Sequence, residues 1–233
     1  MVLGIDVSKW QGNIDWNKAK RQIAFAIVRA GFGNLTSQKD TCFEENYKNA
    51  KSAAVPIGCY WYSYAKTPDD ARKEADAFLE VVKGKQFEYP IYYDIEESDV
   101  LKLGKEKVSA IAKAFLDKVE KAGYWVGLYM SASYLNSVIS DDIKKRYAVW
   151  VAHYTNATKP SYNGTFGMWQ YTSKGKVDGI AGDVDMNRCY CYYEDHIRNK
   201  GLNGFKKGEV DFDVVTVKAN INGEEYSGEL RKE

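Results

Sequence analysis

The sequence predicts an α/β fold: a modified, irregular TIM-like (β/α) barrel of about eight strands, with weak or missing late helices and a C-terminal β-hairpin extension. Three observations lead there. Short apolar stretches rich in β-branched and aromatic residues alternate with helix-periodic ones through most of the chain, the pattern of parallel βα units. About eight such strands fit within 233 residues, a length that suits one barrel. Helical periodicity is clear after the early strands and faint after the late ones, so the second half departs from regularity.

Residues 2–7 are the first predicted strand. A short helix near 17–22 leads to the second, at 25–29 (Phe-Ala-Ile-Val-Arg), and a helix near 44–53 leads to the third, at 56–62. Residues 69–82 carry Ala71, Ala75, Phe78, Leu79 and Val82 at helical spacing and open with two acids at the positive end of the dipole. This predicts a surface helix with one buried stripe. The fourth strand is 89–94. Residues 105–122 form a long amphipathic helix, with Val108, Ile111, Ala112, Phe115 and Val119 inward and Gly123 as its stop. Strands at 125–130, 149–152, 168–171 and 182–185 complete the set. Residues 199–204 (Asn-Lys-Gly-Leu-Asn-Gly) read as a loop-like linker, and Asn222-Gly223 between β-prone segments at 210–221 and 224–230 signals a hairpin. A lone hairpin is marginal in water, so it is expected to dock on the barrel or to mediate self-association. The expected division is a barrel domain at 1–198 and a linker with docked hairpin at 199–233.

Composition narrows the partners. Lys and Arg number 33 against 32 Asp and Glu, so no basic field points to nucleic acid. No apolar run approaches the ~20 residues of a membrane span. The chain enters its first strand at once after Met1, so no signal peptide is expected within it. Cys42, Cys59, Cys189 and Cys191 are too sparse for a disulfide scaffold, and neither they nor His153 and His196 have metal-site spacing. No metal and no cofactor is expected. The 18 Tyr and 6 Trp suit core packing or stacking on the apolar faces of sugars.

The chemistry points to Tyr89-Pro90-Ile91-Tyr92-Tyr93-Asp94-Ile95-Glu96-Glu97, an apolar strand running into two carboxylates spaced i, i+2. Alternation puts Asp94 and Glu96 on one face, with Cα atoms about 6 to 7 Å apart at strand rise. Two acids so close on a buried strand repel each other in a poor solvent for charge, so the more buried one keeps its proton near neutrality. A solvated strand end would show the same D-x-E, a weak motif by itself. Asp6 and Asp185 also fall at predicted strand ends, and the C-terminal ends of barrel strands form the active face, so four acids from distant parts of the chain converge on one mouth. Tyr62, Tyr129, Trp150 and Trp169 sit near strand ends as candidate sugar-stacking walls, with core packing the plain alternative.

These residues resemble a known family. Gly4-Ile5-Asp6-Val7-Ser8-Lys9-Trp10-Gln11-Gly12, Ile14-Asp15-Trp16, Ala26-Ile27-Val28-Arg29-Ala30-Gly31, Pro56-Ile57-Gly58-Cys59-Tyr60 and Tyr93-Asp94-Ile95-Glu96 are similar to family 25 of the glycoside hydrolases, the Chalaropsis-type lysozymes or N-acetylmuramidases. Leu128-Tyr129-Met130-Ser131, Val149-Trp150-Val151-Ala152, Met168-Trp169-Gln170-Tyr171 and Gly182-Asp183-Val184-Asp185-Met186-Asn187 follow in the same order, so the resemblance spans about residues 2–190. It implies cleavage of the β-1,4 bond between N-acetylmuramic acid and N-acetylglucosamine in bacterial cell-wall peptidoglycan. By motif match it implies Glu96 as general acid, Asp94 as the partner carboxylate, and Asp6 and Asp185 as the remaining acids of the site. Three mechanisms are then open: Asp94 as nucleophile, Asp94 or Asp6 as base for an inverting water, or Asp94 as the partner that orients the substrate's own 2-acetamido group, the last arrangement being known from families with a D-x-E pair on one strand. A chitinase-like hydrolase is a rival, but its strand carries a further acid two residues before the aspartate, where this chain has Tyr92. A non-catalytic sugar-binding barrel is another. Phage endolysin, bacterial autolysin and secreted lysozyme are all compatible settings.

Overall fold

Strands β1 (Val2–Val7), β2 (Phe25–Phe32), β3 (Ile57–Tyr62), β4 (Ile91–Asp94), β5 (Val126–Ser131), β6 (Ala148–Ala152), β7 (Met168–Gly175) and β8 (Val184–Cys189) close into one barrel in sequence order. The computed structural model describes residues 1–207 and two further strands, β9 (Val214–Ile221) and β10 (Glu224–Arg231). Strands β1 to β7 pair in parallel, whereas β8 runs antiparallel to both β7 and β1. An antiparallel neighbour needs no crossover helix, which is why helical periodicity fades late in the sequence.

Helices α1 (Trp16–Ala19), α2 (Phe43–Ser52), α3 (Pro68–Val81), α4 (Ser98–Leu101), α5 (Lys105–Lys121), α6 (Ala132–Ser137), α7 (Asp141–Arg146) and α8 (Tyr193–Lys200) include every helix expected from periodicity. The short α4, α6 and α7 and the floor helix α8 carry too few turns to show a period. Thr67 caps α3 by accepting from the Asp70 N–H, and Pro68 follows at the first helical position, where its missing N–H costs nothing. Its buried stripe of Ala71, Ala75 and Phe78 lies against α5 and the barrel wall.

Alternation along the strands sorts side chains into two layers. Ala26, Val28, Ile57, Cys59, Ile91 and Tyr93 point out to the helices, and Phe25, Ile27, Tyr92, Tyr129, Trp150 and Met168 fill the barrel. The interior is tight around its rings, with Trp150 4.4 Å from Tyr129 and 5.1 Å from Tyr92 between ring centroids. Gly127 makes room for this packing, since a Cβ there would stand 2.6 Å from the Tyr92 ring.

Two expectations are corrected. The last barrel strand is not 182–185 but Val184–Cys189, entered through Gly182 at φ +84°, a backbone that favours glycine. Residues 199–204 are not a loose linker either. After α8, Asn203 is fully buried beneath the barrel, where its amide donates to the carbonyls of Phe87 (3.1 Å) and Tyr89 (2.9 Å) and its Oδ1 accepts from the Trp125 N–H (2.7 Å). Those three residues lie just before β4 and β5, so α8, Asn203 and Phe205 plug the barrel floor. Asn203 also sits at φ +54°, which asparagine tolerates better than most residues. Asn203→Ala leaves three buried backbone groups unpaired and should lower stability by about 3 kcal/mol, read as a urea-midpoint shift without change in slope.

Strands β9 and β10 pair antiparallel with each other, in a register running from Ile221 opposite Glu224 to Val214 opposite Arg231. The Asn222-Gly223 turn, residues 210–213 of the longer predicted strand and the rest of the tail lie outside the described residues. Among the described residues no helix is long and apolar enough to cross a membrane.

Candidate active site

The barrel mouth holds a cleft of about 270 Å³ lined by Asp6, Ser8, Trp10, Arg29, Tyr60, Tyr62, Asp94, Glu96 and Asp185, among others. All four predicted acids meet there, by different local routes. Asp94 is the last residue of β4, and its carbonyl accepts from the Ser63 N–H at 2.9 Å. Ile95 makes one more ladder bond, to the Tyr129 carbonyl at 3.3 Å, and buries its side chain in the helix layer. The alternation thus carries one step past the strand and returns Glu96 to the cleft. Glu97 then starts α4, its carbonyl accepting from Val100 and Leu101, both buried. Glu96 is therefore held between two apolar anchors.

Asp6 is the penultimate residue of β1 and stands opposite Asp185 in the antiparallel β1–β8 register. Asp185 was expected at the end of a strand. It lies near the start of β8, and the reversal of that strand brings the start to the mouth. Like charges directly opposite in a sheet destabilise it, which makes the pair a candidate for function.

Burial raises the pKa of all four acids, and neighbouring carboxylates add to the shift at Asp94, Asp6 and Glu96. Asp94, 3% exposed, is pushed well above the ordinary aspartate range by burial, then by Glu96 and Asp6, with Arg29 opposing. One of its oxygens, Oδ1, is buried without a hydrogen-bond partner. Asp6 is pushed up to about 8, first by burial and then by Asp185, against hydrogen bonds from Asn187 and Gln170. Burial raises Asp185 to about 6. Glu96 is raised by desolvation, then by Glu97 and Asp185, although its side chain still opens to solvent. The more buried acid of the pair is the one expected to keep its proton near neutrality. That acid is Asp94, yet Glu96 combines a raised pKa with access.

The aromatic expectations divide. Tyr62 lines the cleft and donates its hydroxyl to Glu97 Oε1 at 2.8 Å. Trp150 and Trp169 are each only 1% exposed and present no face to a sugar. The Trp150 indole packs inside the barrel, and the Trp169 indole donates to the His153 carbonyl at 2.9 Å in the outer layer. Tyr129 is also buried, its hydroxyl bound to Gln170 at 2.8 Å. Their proximity to strand ends in sequence did not reveal how deep the interior side chains sit.

Sequence reasoning missed three groups. Trp10, 76% exposed on the cleft wall, is the aromatic best placed to receive a sugar face. Arg29, a charge within an otherwise apolar strand, lines the cleft while its guanidinium Nε donates to Asp40 Oδ2 at 2.6 Å. Gln170 and Asn187 carry the buried bonds to Asp6. A larger groove of about 1110 Å³ opens at the barrel floor, but its carboxylates Glu120 and Asp141 are each tied to a cation, Arg146 and Lys144. The smaller cleft, which gathers all four acids, is the candidate active site.

The chain is similar to known proteins over most of its length. Residues 5–180 match the family described as Glycosyl hydrolases family 25. Asp6, Asp94 and Glu96 fall inside that stretch and Asp185 just beyond it. Lysozyme M1 of Streptomyces globisporus is 30% identical over 200 residues, spanning 80% of this chain and 67% of that protein. The solved CTP1L endolysin superposes with a TM-score of 0.75 at 25% identity, over 85% of this chain and 70% of that one. The catalytic domain of endolysin ply40 from bacteriophage P40 of Listeria monocytogenes gives 0.71 at 30% identity, over 84% and 97%.

Proposed function

The chain belongs to glycosyl hydrolases family 25, a glycoside hydrolase of the lysozyme kind, and from that premise we propose that it cleaves the β-1,4 bond between N-acetylmuramic acid and N-acetylglucosamine in bacterial peptidoglycan, with Glu96 as general acid and Asp94 as partner carboxylate. The observation that carries this reading is the pairing of an accessible Glu96, its pKa raised by desolvation and by neighbouring acids, with a buried Asp94 at one barrel mouth. Glycoside hydrolysis requires a proton for the leaving oxygen and a group that manages positive charge at the anomeric carbon. Glu96 supplies the first.

For the second, the burial of Asp94 argues against direct attack on the sugar. We propose that the substrate's 2-acetamido oxygen attacks the anomeric carbon as the glycosidic C–O bond breaks and Glu96 gives its proton to the leaving oxygen. Asp94, with Oδ1 unpartnered, binds the acetamido N–H and orients it. Water then opens the oxazolinium ion, returning its proton to Glu96, with net retention. The inward, ring-packed Tyr92 at the position of the chitinase acid speaks against the rival family. The catalytic unit on this reading is the barrel with its floor plug, and the β9–β10 pair an accessory element docked on it or joining a second copy. The wall is the site of action, in an endolysin or an autolysin setting.

Mass spectrometry of fragments released from purified walls tests the bond. Reducing muramic acid ends are expected, and reducing glucosamine ends would overturn the assignment. Glu97 provides a test of the acid. Its charge helps raise Glu96, and Glu97→Gln removes that charge while keeping an acceptor for Tyr62. The alkaline limb of the pH–activity profile, where Glu96 loses its proton, should move to lower pH.

A further inference from the structure

Asp6 sits at the end of a chain of directed hydrogen bonds that spans four other strands or strand ends. The Trp150 indole N–H on β6 donates to Asn187 Oδ1 at 2.8 Å, and Asn187 Nδ2 on β8 donates to Asp6 Oδ2 at 2.8 Å. From β7, Gln170 Nε2 donates to the same Oδ2 at 2.9 Å, while Gln170 Oε1 accepts from the hydroxyls of Tyr129 and Tyr154, each at 2.8 Å. Asn187 is fully buried, and Trp150, Gln170 and Asp6 nearly so.

An indole nitrogen is a donor only, so Trp150 admits one orientation of the Asn187 amide: oxygen toward the indole, N–H toward Asp6. The two tyrosine hydroxyls do the same for Gln170. Asp6 Oδ2 thereby receives two N–H donors and has no room for a proton of its own.

We propose that Trp150, Asn187 and Gln170 are positioning residues that lock the Asp6 carboxyl in one orientation, with Oδ2 committed as acceptor and Oδ1 the oxygen that carries and exchanges the acid's proton. The other charged and titratable groups around Asp6 are Asp185 across the β1–β8 ladder, Asp94 and Glu96 from the β4 end, Tyr60 on β3 and Arg29 on β2. None of them fixes which oxygen is protonated. The inference rests on the reading of Asp6 as part of the hydrolytic site, but its own test does not.

That test titrates the carboxyl directly. In ¹³C-aspartate-labelled protein, with the Asp6 signal assigned by its loss in Asp6→Asn, the wild-type midpoint is expected near 8. Trp150→Phe keeps a ring but removes the indole donor that holds the Asn187 oxygen, and Trp150 makes no hydrogen bond to Asp6 among the described residues. The freed amide can turn its oxygen to accept from a protonated Oδ2, which favours the neutral form, and the Asp6 midpoint should rise by about half a pH unit or more. Gln170→Glu keeps the acceptor for both tyrosines but replaces the second donor, and should raise it as well; this arm stands if Trp150→Phe fails to fold. Wall-clearing rates of the folded variants should fall about tenfold in kcat with KM within about twofold, as for lost orientation. A folded variant of either kind whose Asp6 midpoint stays at the wild-type value would overturn the inference, whatever its activity. Raised midpoints in a protein that cuts no wall would keep the lock and sink the muramidase reading instead.

Discussion

Glu96→Gln is expected to reduce wall cleavage by about 10³-fold while the protein stays folded. Glutamine has the shape of the acid and none of its proton. Glu96 stands in a short loop fixed on one side by buried Ile95 and on the other by buried Val100 and Leu101, so the substitution has little structure to disturb. Its contribution is therefore almost purely chemical. Without a donor, the leaving oxygen departs as an alkoxide, and the residual rate is what substrate orientation supports alone. The measurement is clearing of a purified wall suspension by wild type and variant at matched circular dichroism, together with co-sedimentation on intact walls. Retained binding with lost clearing places Glu96 in the chemical step. If wild type and variant bind equally and neither clears, the barrel is a sugar-binding module and not a hydrolase.

The fold was legible where hydrophobic period is long and was obscure where the chain is short or reversed. Helices α3 and α5 have three or more turns, and their apolar stripes give both period and limits to within a residue or two. The strand β8 was misplaced because Asp185, Asn187 and Arg188 break up its apolar residues so that no apolar run marks it, and because direction leaves no mark on local composition. The two errors, wrong limits and assumed parallel sense, cancelled for Asp185, which reaches the mouth by the start of a strand and not by its end. The acids were legible for another reason. Asp94 and Glu96 interrupt an aromatic strand, and Asp6 ends an apolar one, so each is a charge where burial is expected. Gln170 and Asn187 lacked that signal, since amides in strands are ordinary and their bonds run to residues 164 and 181 positions away. Asn203 was hidden in the same way: its Gly-Leu-Asn-Gly setting reads as a loop, and only its buried partners show that it holds the floor.

Asp94→Asn should make the protein more stable and about 10²-fold slower, and the stability gain should depend on pH. Asparagine is nearly isosteric and cannot ionise, so it removes the like-charge repulsion with Glu96 and Asp6. The folded state raises the pKa of Asp94 well above the ordinary aspartate value of 3.8, which means that folding favours its neutral form. A carboxyl of this sort contributes fully below about pH 4, where folded and unfolded chains both hold the proton. Its contribution is lost as pH rises, since the unfolded chain then ionises freely and the folded one resists. Asp6, raised to about 8, gives the same sign over the window from about 4 to 8. Wild-type stability should therefore decline across this range. Asp94→Asn should match wild type near pH 4 and exceed it by about 1–2 kcal/mol near pH 8, read from urea midpoints at the two values. Equal midpoints at pH 8 would mean that Asp94 is no more strained than a surface acid, and the argument for its burial as the source of acetamido orientation would fail with it. A variant that is stabilised but fully active would keep the strain and remove Asp94 from the reaction.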